Sequence, residues 1–133
     1  MDKEKRLAEW RFEQAHQCLD AAKTMIEINN YKSAANRSYY CIFHCIRSIL
    51  ALESVDFKKH SAVISHFRLN YIKTKIFDSK LSDIIESLFI IRNASDYDDF
   101  YVLEKEQAIK QVENAEYFLE QIKNYLGERD CHI

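Results

Sequence analysis

The chain has 133 residues, a length that typically forms one domain and buries roughly two thirds of the surface that its unfolded chain exposes. It contains no proline and one glycine, and because tight hairpins between strands usually need glycine, this composition excludes most sheet folds and predicts an all-α fold. The 19 basic and 21 acidic residues leave a net charge of −2, so no overall field attracts nucleic acid or a bilayer, and any RNA contact has to be local.

The N-terminal segment MDKEKRLAEW is charged and amphipathic, so it lacks the apolar core of a signal peptide. The longest strongly apolar run is also shorter than a membrane span requires. We therefore expect a cytoplasmic protein that makes no membrane contact.

Apolar residues recur at alternating steps of four and three positions in successive segments, which is the spacing of one helix face. The predicted helices cover residues 3–28, 31–53, 58–73, a segment that begins near 80, and 104–126. Asn29 and Asn30 form the first turn, since asparagine tolerates the left-handed conformation that ends a helix. These helices predict one domain over residues 1–126, followed by a frayed tail over residues 127–133.

The second helix contains the stretch RSYYCIFHCIRSIL, residues 37–50. In this stretch the polar face that a helix normally exposes to solvent is unusually narrow. One side carries an apolar stripe. On the opposite side, four residues recur at the same steps of four and three positions: Arg37, Cys41, His44 and Ser48. A helix with this pattern needs neighbours on both sides. We therefore expect it to lie at the centre of the fold.

Four cysteines are compatible with a disulfide set, a metal site or core packing: Cys18, Cys41, Cys45 and Cys131. Cys41 and Cys45 form a CxxHC pattern with His44, but the usual structural zinc sites draw their ligand pairs from turns. We expect reduced cysteines that pack as small apolar residues, and we expect neither a metal ion nor another cofactor.

The fourth helix places a charged residue on its apolar face. One stripe runs from Leu81 to Leu88, and the next position of that stripe is Arg92. Because an unpaired buried charge costs much free energy, Arg92 needs a partner or a ligand. Asp96 lies one turn further on and is placed to pair with it, and the acidic, aromatic stretch 93–99 is where the helix should end.

Three separated motifs resemble the HEPN family of small helical proteins: ANRSYYCIFHCIRSIL, KKHSAVISHF and IIRNASDYDD. With a last helix rich in Ala, Glu and Phe, the resemblance covers residues 31–126. It implies an up-and-down bundle of four to five helices that is often a symmetric homodimer. Many members of the family are metal-independent ribonucleases of toxin-antitoxin and other prokaryotic defence systems, and small members are often encoded beside a minimal nucleotidyltransferase partner.

The active site of the family is composite, with an Arg, a polar residue after it and a His a few positions on, contributed by both subunits. The resemblance assigns Arg92 to the first role and Asn93 to the second. The motif histidine is absent, because the sequence after Arg92 reads NASDYDDF and places Asp96 and Tyr97 near that position. An Asp with its ordinary pKa carries protons poorly at neutral pH, and its charge repels phosphate, so the departure puts catalysis in doubt.

Two functions therefore remain open. In the first, a dimer cleft around Arg92 binds or cleaves RNA, and the candidates for proton transfer are Asp96, His44 and His60. In the second, the chain is a non-enzymatic helical dimer that docks a nucleotidyltransferase or another protein. The first requires an accessible Arg92, whereas the second is compatible with an Arg92 that is buried and paired.

Three further residues belong to these hypotheses. Arg37 and Tyr40 form either a second polar wall of the cleft or, with His44, a hydrogen-bonded core network between the second and fourth helices. Tyr97 resembles the position at which a nucleotidyltransferase partner silences some HEPN toxins by adding adenylate. We treat Tyr97 as a candidate modification site on that resemblance alone.

Overall fold

Five α-helices form the structure, a computed structural model that describes residues 2–133, and no strand occurs in that range. The helices are α1 (Asp2–Glu27), α2 (Tyr31–Leu52), α3 (His60–Phe67), α4 (Lys80–Tyr97) and α5 (Lys105–Glu128). A π-helical turn, Arg68–Ile72, continues α3. The all-α fold that the composition predicts is confirmed.

Helix α2 lies at the centre of the molecule, as its residue pattern predicts. It contacts α1, α3, α4 and α5. Ile42 and Ile46 on the apolar side are fully buried, and so are Cys41 and Ser48 on the opposite side. The Ser48 hydroxyl donates to the Cys45 carbonyl at 2.6 Å, so its burial leaves no unsatisfied donor.

The turn between α1 and α2 forms at the predicted asparagines. Asn29 adopts the left-handed conformation, with φ at 61°. Asn30 is the N-cap of α2, and its side-chain oxygen accepts the backbone N–H of Ser33 at 3.3 Å. This cap fixes the start of the central helix against the end of α1.

The third helix differs from the prediction of one helix over 58–73. It begins at His60, and after Phe67 its hydrogen bonding changes to that of a π-helix. A π-turn takes one more residue per turn, so it rotates the side chains that follow it relative to those of α3. Phe67 and Tyr71 are still buried together, and their rings stack with 5.5 Å between the centroids.

The C-terminal residues contact the rest of the bundle. Helix α5 continues to Glu128, and the Cys131 side chain is buried against the core. The backbone N–H of His132 donates to the Glu9 carboxylate at 2.7 Å. Within the tail, Cys131 therefore packs against the bundle, and a carboxylate on α1 accepts a hydrogen bond from the next residue.

Candidate functional site

Arg92 lies on α4 against the aromatic side of α2. Its guanidinium carbon is 4.8 Å from the centroid of the Tyr39 ring and 5.5 Å from that of the Tyr40 ring, within the range of cation–π attraction. Arg92 Nη2 donates a hydrogen bond to the Tyr40 hydroxyl oxygen at 3.3 Å. Two neighbouring tyrosines of the central helix thus hold the guanidinium in place.

The predicted pair between Arg92 and Asp96 forms, with 3.4 Å between Nε and Oδ2. The Nε–H group is not aligned on that oxygen, so Nε is buried without a hydrogen bond. The side chains are 18% exposed for Arg92 and 33% exposed for Asp96. The arginine is therefore paired and partly accessible at the same time, and it keeps one donor that its neighbours do not use.

His60, the first residue of α3, lies beside the same tyrosines. Its ring stacks on Phe43 with 3.9 Å between the centroids, and its Nδ1 is 3.3 Å from the Tyr39 hydroxyl oxygen. The centroids of the His60 and Tyr40 rings are 6.0 Å apart. Burial lowers the pKa of His60, and the charges of Arg92 and Arg47 lower it further. His60 is therefore a neutral imidazole at pH 7.

His44 lies one turn after Tyr40 on α2, with 6.4 Å between the ring centroids. Its Nδ1 is buried and has no hydrogen-bond partner among residues 2–133. Burial lowers the pKa of His44, and the charges nearby that lower it further are those of Arg47, Arg37, Arg11 and His60. His44 is a second neutral imidazole next to the first.

Arg37 adds positive charge at the edge of the same group. Its guanidinium carbon is 5.3 Å from the Tyr40 ring centroid, and its Nη2 donates to the Asn36 side-chain oxygen at 3.0 Å. A shallow pocket of about 280 Å³ opens here, with Arg37 and Asp96 on its wall beside Lys32. Arg37 and Arg92 thus both lie over the Tyr40 ring.

A family model described as the HEPN domain matches residues 8–125. The chain belongs to the HEPN family. A Thermotoga maritima protein named "UPF0332 protein" is 31% identical over 96% of this chain and 96% of its own length. A Methanocaldococcus jannaschii protein named "Putative toxin MJ0142" is 32% identical over 92% of this chain and 83% of its own length.

A second Methanocaldococcus jannaschii protein, named "Putative toxin MJ0605", is 33% identical over 86% of this chain and 84% of its own length. Among solved structures, the crystal structure of an archaeal HEPN homologue, ST0689, superposes with a TM-score of 0.62 at 19% sequence identity. The match covers 90% of this chain and 97% of that one. This structural likeness shows that the arrangement of helices is the HEPN fold.

The HEPN motif residues after Arg92 separate into two groups. Asp96 belongs to the cluster, whereas Tyr97, in the last turn of α4, is 77% exposed. Asn93 is half-buried and makes no side-chain hydrogen bond within residues 2–133. The structure thus brings six of the eight candidate residues together: Arg37, Tyr40, His44, His60, Arg92 and Asp96.

Sequence reasoning missed the aromatic residues that hold this HEPN site together. Tyr39 is fully buried, yet its hydroxyl lies within hydrogen-bond distance of His60. Phe43 stacks on His60 and is also largely buried. Both belong to the apolar side of α2, so the pattern assigns them to the core. The available signal was the run of aromatic residues from Tyr39 to His44, which wraps from the apolar side of the helix to the polar side.

Residues 2–133 contain neither a cluster of metal ligands nor a helix that could span a membrane. Within 2–133, no group of three or more His, Cys, Asp or Glu side chains is placed to hold a metal, and the four cysteines are free. In the same range every helix is too short or too polar to cross a bilayer.

Proposed function

We propose that this HEPN protein is a toxin-like factor that binds RNA and cleaves it without a metal ion, at a cleft around Arg92 that a second copy of the chain completes. The observation that carries the proposal is that Arg92, His60 and His44 all lie next to the Tyr40 ring, at 5.5, 6.0 and 6.4 Å from its centroid. A guanidinium with an unused donor can bind a phosphate, and a neutral imidazole can accept the proton of an attacking hydroxyl. The names of the relatives support a toxin-like role.

Arg92 holds the phosphate in this proposal. Its planar guanidinium matches phosphate oxygens, and its Nη1, which makes no hydrogen bond within residues 2–133, is free to donate to one of them. Asp96 keeps Arg92 in place when no RNA is bound, and a phosphate competes with it for the guanidinium. The Asn93 amide, next in the chain and half-buried, assists by donating to a second phosphate oxygen.

The histidines move the protons. When His60 Nδ1–H donates to the Tyr39 hydroxyl oxygen, Nε2 is left unprotonated and accepts the proton of an RNA 2′-hydroxyl. The 2′-oxygen then bonds to phosphorus, the bond to the 5′-oxygen breaks, and the leaving oxygen takes a proton from water. The resulting hydroxide takes back the proton that His60 accepted, and His44, the other neutral imidazole, is the alternative acceptor. The products are a 2′,3′-cyclic phosphate and a free 5′-hydroxyl.

An exposed apolar ridge beside the site supports the proposed homodimer. Four large apolar residues of α4 and the following loop face solvent, with exposures from 40% to 93%: Phe89, Ile90, Phe100 and Val102. A soluble protein rarely leaves such a ridge uncovered. Because the ridge begins one turn before Arg92, a second copy that covers it also brings its own residues to the cleft.

RNA cleavage in the presence of a chelator tests this function. Wild-type protein is compared with Arg92→Ala and with a matched control, Arg6→Ala, which removes an exposed arginine of α1. We expect the wild type and the control to cleave equally and Arg92→Ala to lose about 100-fold or more, the typical loss on removing one donor to a developing charge. Equal cleavage by Arg92→Ala would assign the activity to a contaminant and contradict the proposal.

The second function, a non-enzymatic dimer that docks a nucleotidyltransferase, is favoured by one specific observation. The exposed ridge continues to Tyr97, whose 77% exposure leaves its hydroxyl open to a partner enzyme. Adenylate transfer to that oxygen places a charged phosphate beside the cleft and blocks the approach of RNA.

Mass spectrometry after co-expression with a nucleotidyltransferase encoded beside the gene tests this docking. We expect an adenylate on Tyr97 and none after Tyr97→Phe, with Tyr117→Phe on α5 as the matched control. An unmodified Tyr97 in the co-expressed wild type would count against this function.

A further inference from the structure

We propose that the groove between α3 and α4 is a path for the backbone of single-stranded RNA, which leads away from the Arg92 site. The groove is lined by Ser61, Ser65, Arg68, Lys73, Ser82 and Phe89. This inference rests on the RNA-directed function proposed above, and it adds a binding surface outside the HEPN motif.

The charge of the chain is unevenly distributed, and one wall of the groove, α3 with the π-turn, belongs to its most basic part. Residues 58–80 contain six of the 19 Lys and Arg residues and one of the 21 Asp and Glu residues. The remainder of the chain is therefore clearly acidic. Such a local basic surface attracts the phosphates of RNA even though the whole protein carries a net charge of −2.

The shape of the groove suits an extended polymer. Within the described residues, the Cα atoms of α3 and α4 nowhere approach within 8 Å, whereas those of the π-turn and α4 do. Two concavities of about 150 Å³ and about 400 Å³ lie between these elements, and both are lined by Ser65 and Arg68. The two concavities therefore meet at Arg68, and serine hydroxyls line both of them.

Arg68 is the anchor of this path. Its Nη2 donates to the Ser82 carbonyl at 3.3 Å and to the Glu86 carboxylate at 3.3 Å, which fixes the guanidinium across the groove. Its side chain is 35% exposed and its Nη1 makes no hydrogen bond with residues 2–133, so a donor remains for a phosphate oxygen. The π-turn that begins at Arg68 sets this orientation, and π-turns occur frequently at functional sites.

The near end of the groove borders the proposed active site. Ser61 follows His60 directly, and Phe89 lies one turn before Arg92 on α4. From Ser61 to Lys73 the path measures about 18 Å at the helical rise per residue, which accommodates roughly five phosphates of a stacked strand.

Binding of a fluorescent single-stranded 10-mer RNA tests the path. The RNA carries 2′-O-methyl groups, so it has no 2′-hydroxyl to react and stays intact. Lys73→Gln removes one phosphate contact, Glu86→Gln removes the carboxylate that competes for Arg68, and Lys110→Gln on α5 is the matched control for an exposed lysine.

We expect Lys73→Gln to bind several-fold more weakly and to reduce the slope of log affinity against log salt concentration by about 0.7, the value for one phosphate contact on a single strand. We expect Glu86→Gln to bind several-fold more tightly and Lys110→Gln to match the wild type. If the wild type binds and cleaves RNA but all three variants bind alike, the path is overturned and the Arg92 site stands. If the wild type neither binds nor cleaves RNA, the path and the proposed function fall together.

Discussion

Arg11 and Arg92 are both largely buried, but their hydrogen bonding differs. Arg11 on α1 is 8% exposed, and it donates to the Arg47 carbonyl at 3.1 Å and to the Asp56 carboxylate at 3.3 Å. Arg47 closes that group by donating to the same carboxylate at 2.8 Å. Arg92 donates one hydrogen bond to a tyrosine hydroxyl, and its ion pair with Asp96 is poorly aligned.

The donors that the fold leaves unused distinguish an arginine that stabilises the structure from one that can bind a ligand. Both terminal nitrogens of Arg11 bond to fixed acceptors of the fold, so a ligand has nothing to gain there. Arg92 keeps an unused donor beside His60, so in the proposed function it has an interaction to gain from a phosphate. The same substitution should therefore have opposite consequences at the two positions.

The largest expected effect is that of Arg92→Lys on catalysis. Lysine keeps the positive charge but lacks the planar fork that meets two phosphate oxygens. We expect cleavage to fall by about 100-fold, equivalent to about 2.7 kcal/mol of transition-state stabilisation, while the free energy of unfolding changes by less than about 1 kcal/mol. Initial rates of RNA cleavage and urea unfolding measure the two quantities.

Arg11→Lys should show the reverse. Lysine cannot reach the Arg47 carbonyl and the Asp56 carboxylate with two fixed donors, so we expect a loss of about 2 kcal/mol in the free energy of unfolding. Cleavage per folded molecule should match that of the wild type. A variant that loses activity without losing stability would contradict the structural role of Arg11.

Asp96→Asn tests what Asp96 does for Arg92. If Asp96 only holds the guanidinium, losing its charge should make RNA bind a few-fold more tightly and cost at most about 1 kcal/mol of stability, since the pair is partly exposed. Fluorescence anisotropy with the uncleavable RNA measures the affinity. A loss of cleavage of more than 10-fold with unchanged binding would instead make Asp96 a proton carrier.

The smallest expected effect is a pH dependence of stability that His44 contributes. Burial, with the nearby arginines, lowers the pKa of His44 in the folded protein below its value of 6.5 in the unfolded chain. The unfolded chain therefore binds more protons between the two values, and stability is full above pH 6.5 and declines as the pH falls toward the folded pKa. His60 contributes in the same direction.

Urea unfolding between pH 5 and pH 8 measures that dependence. His44→Gln should flatten the acidic side of the profile, whereas His132→Gln, at an exposed position near the C-terminus, should leave it unchanged. The same slope in all three proteins would show that His44 is not buried in its neutral form.

The sequence predicts the helices better than it predicts the site. Alternating steps of the apolar residues define the helices, and the spacing of four residues places Asp96 beside Arg92. These features depend on local periodicity alone. The position of α3 relative to α2 depends instead on the connecting residues 53–59. The periodicity of the apolar residues carries no information about the path of that connection.

His60 illustrates that limit. In the sequence it could equally be an exposed residue at a helix end, because nothing local shows that its ring stacks on Phe43 near Arg92. The π-turn at Arg68–Ile72 was missed for a related reason, since tertiary packing rather than residue pattern sets such a change of hydrogen bonding. The site is assembled by contacts between residues far apart in sequence.

RNA cleavage by His60→Phe in the presence of a chelator tests most directly whether Arg92 and His60 act together. Phenylalanine retains a ring that can stack on Phe43 but carries no proton, so α3 should keep its place while the proposed base is lost. We predict that the wild type cleaves RNA to 2′,3′-cyclic phosphate ends and that the folded variant is slower by about 100-fold or more. Cleavage by His60→Phe at the wild-type rate would contradict the account.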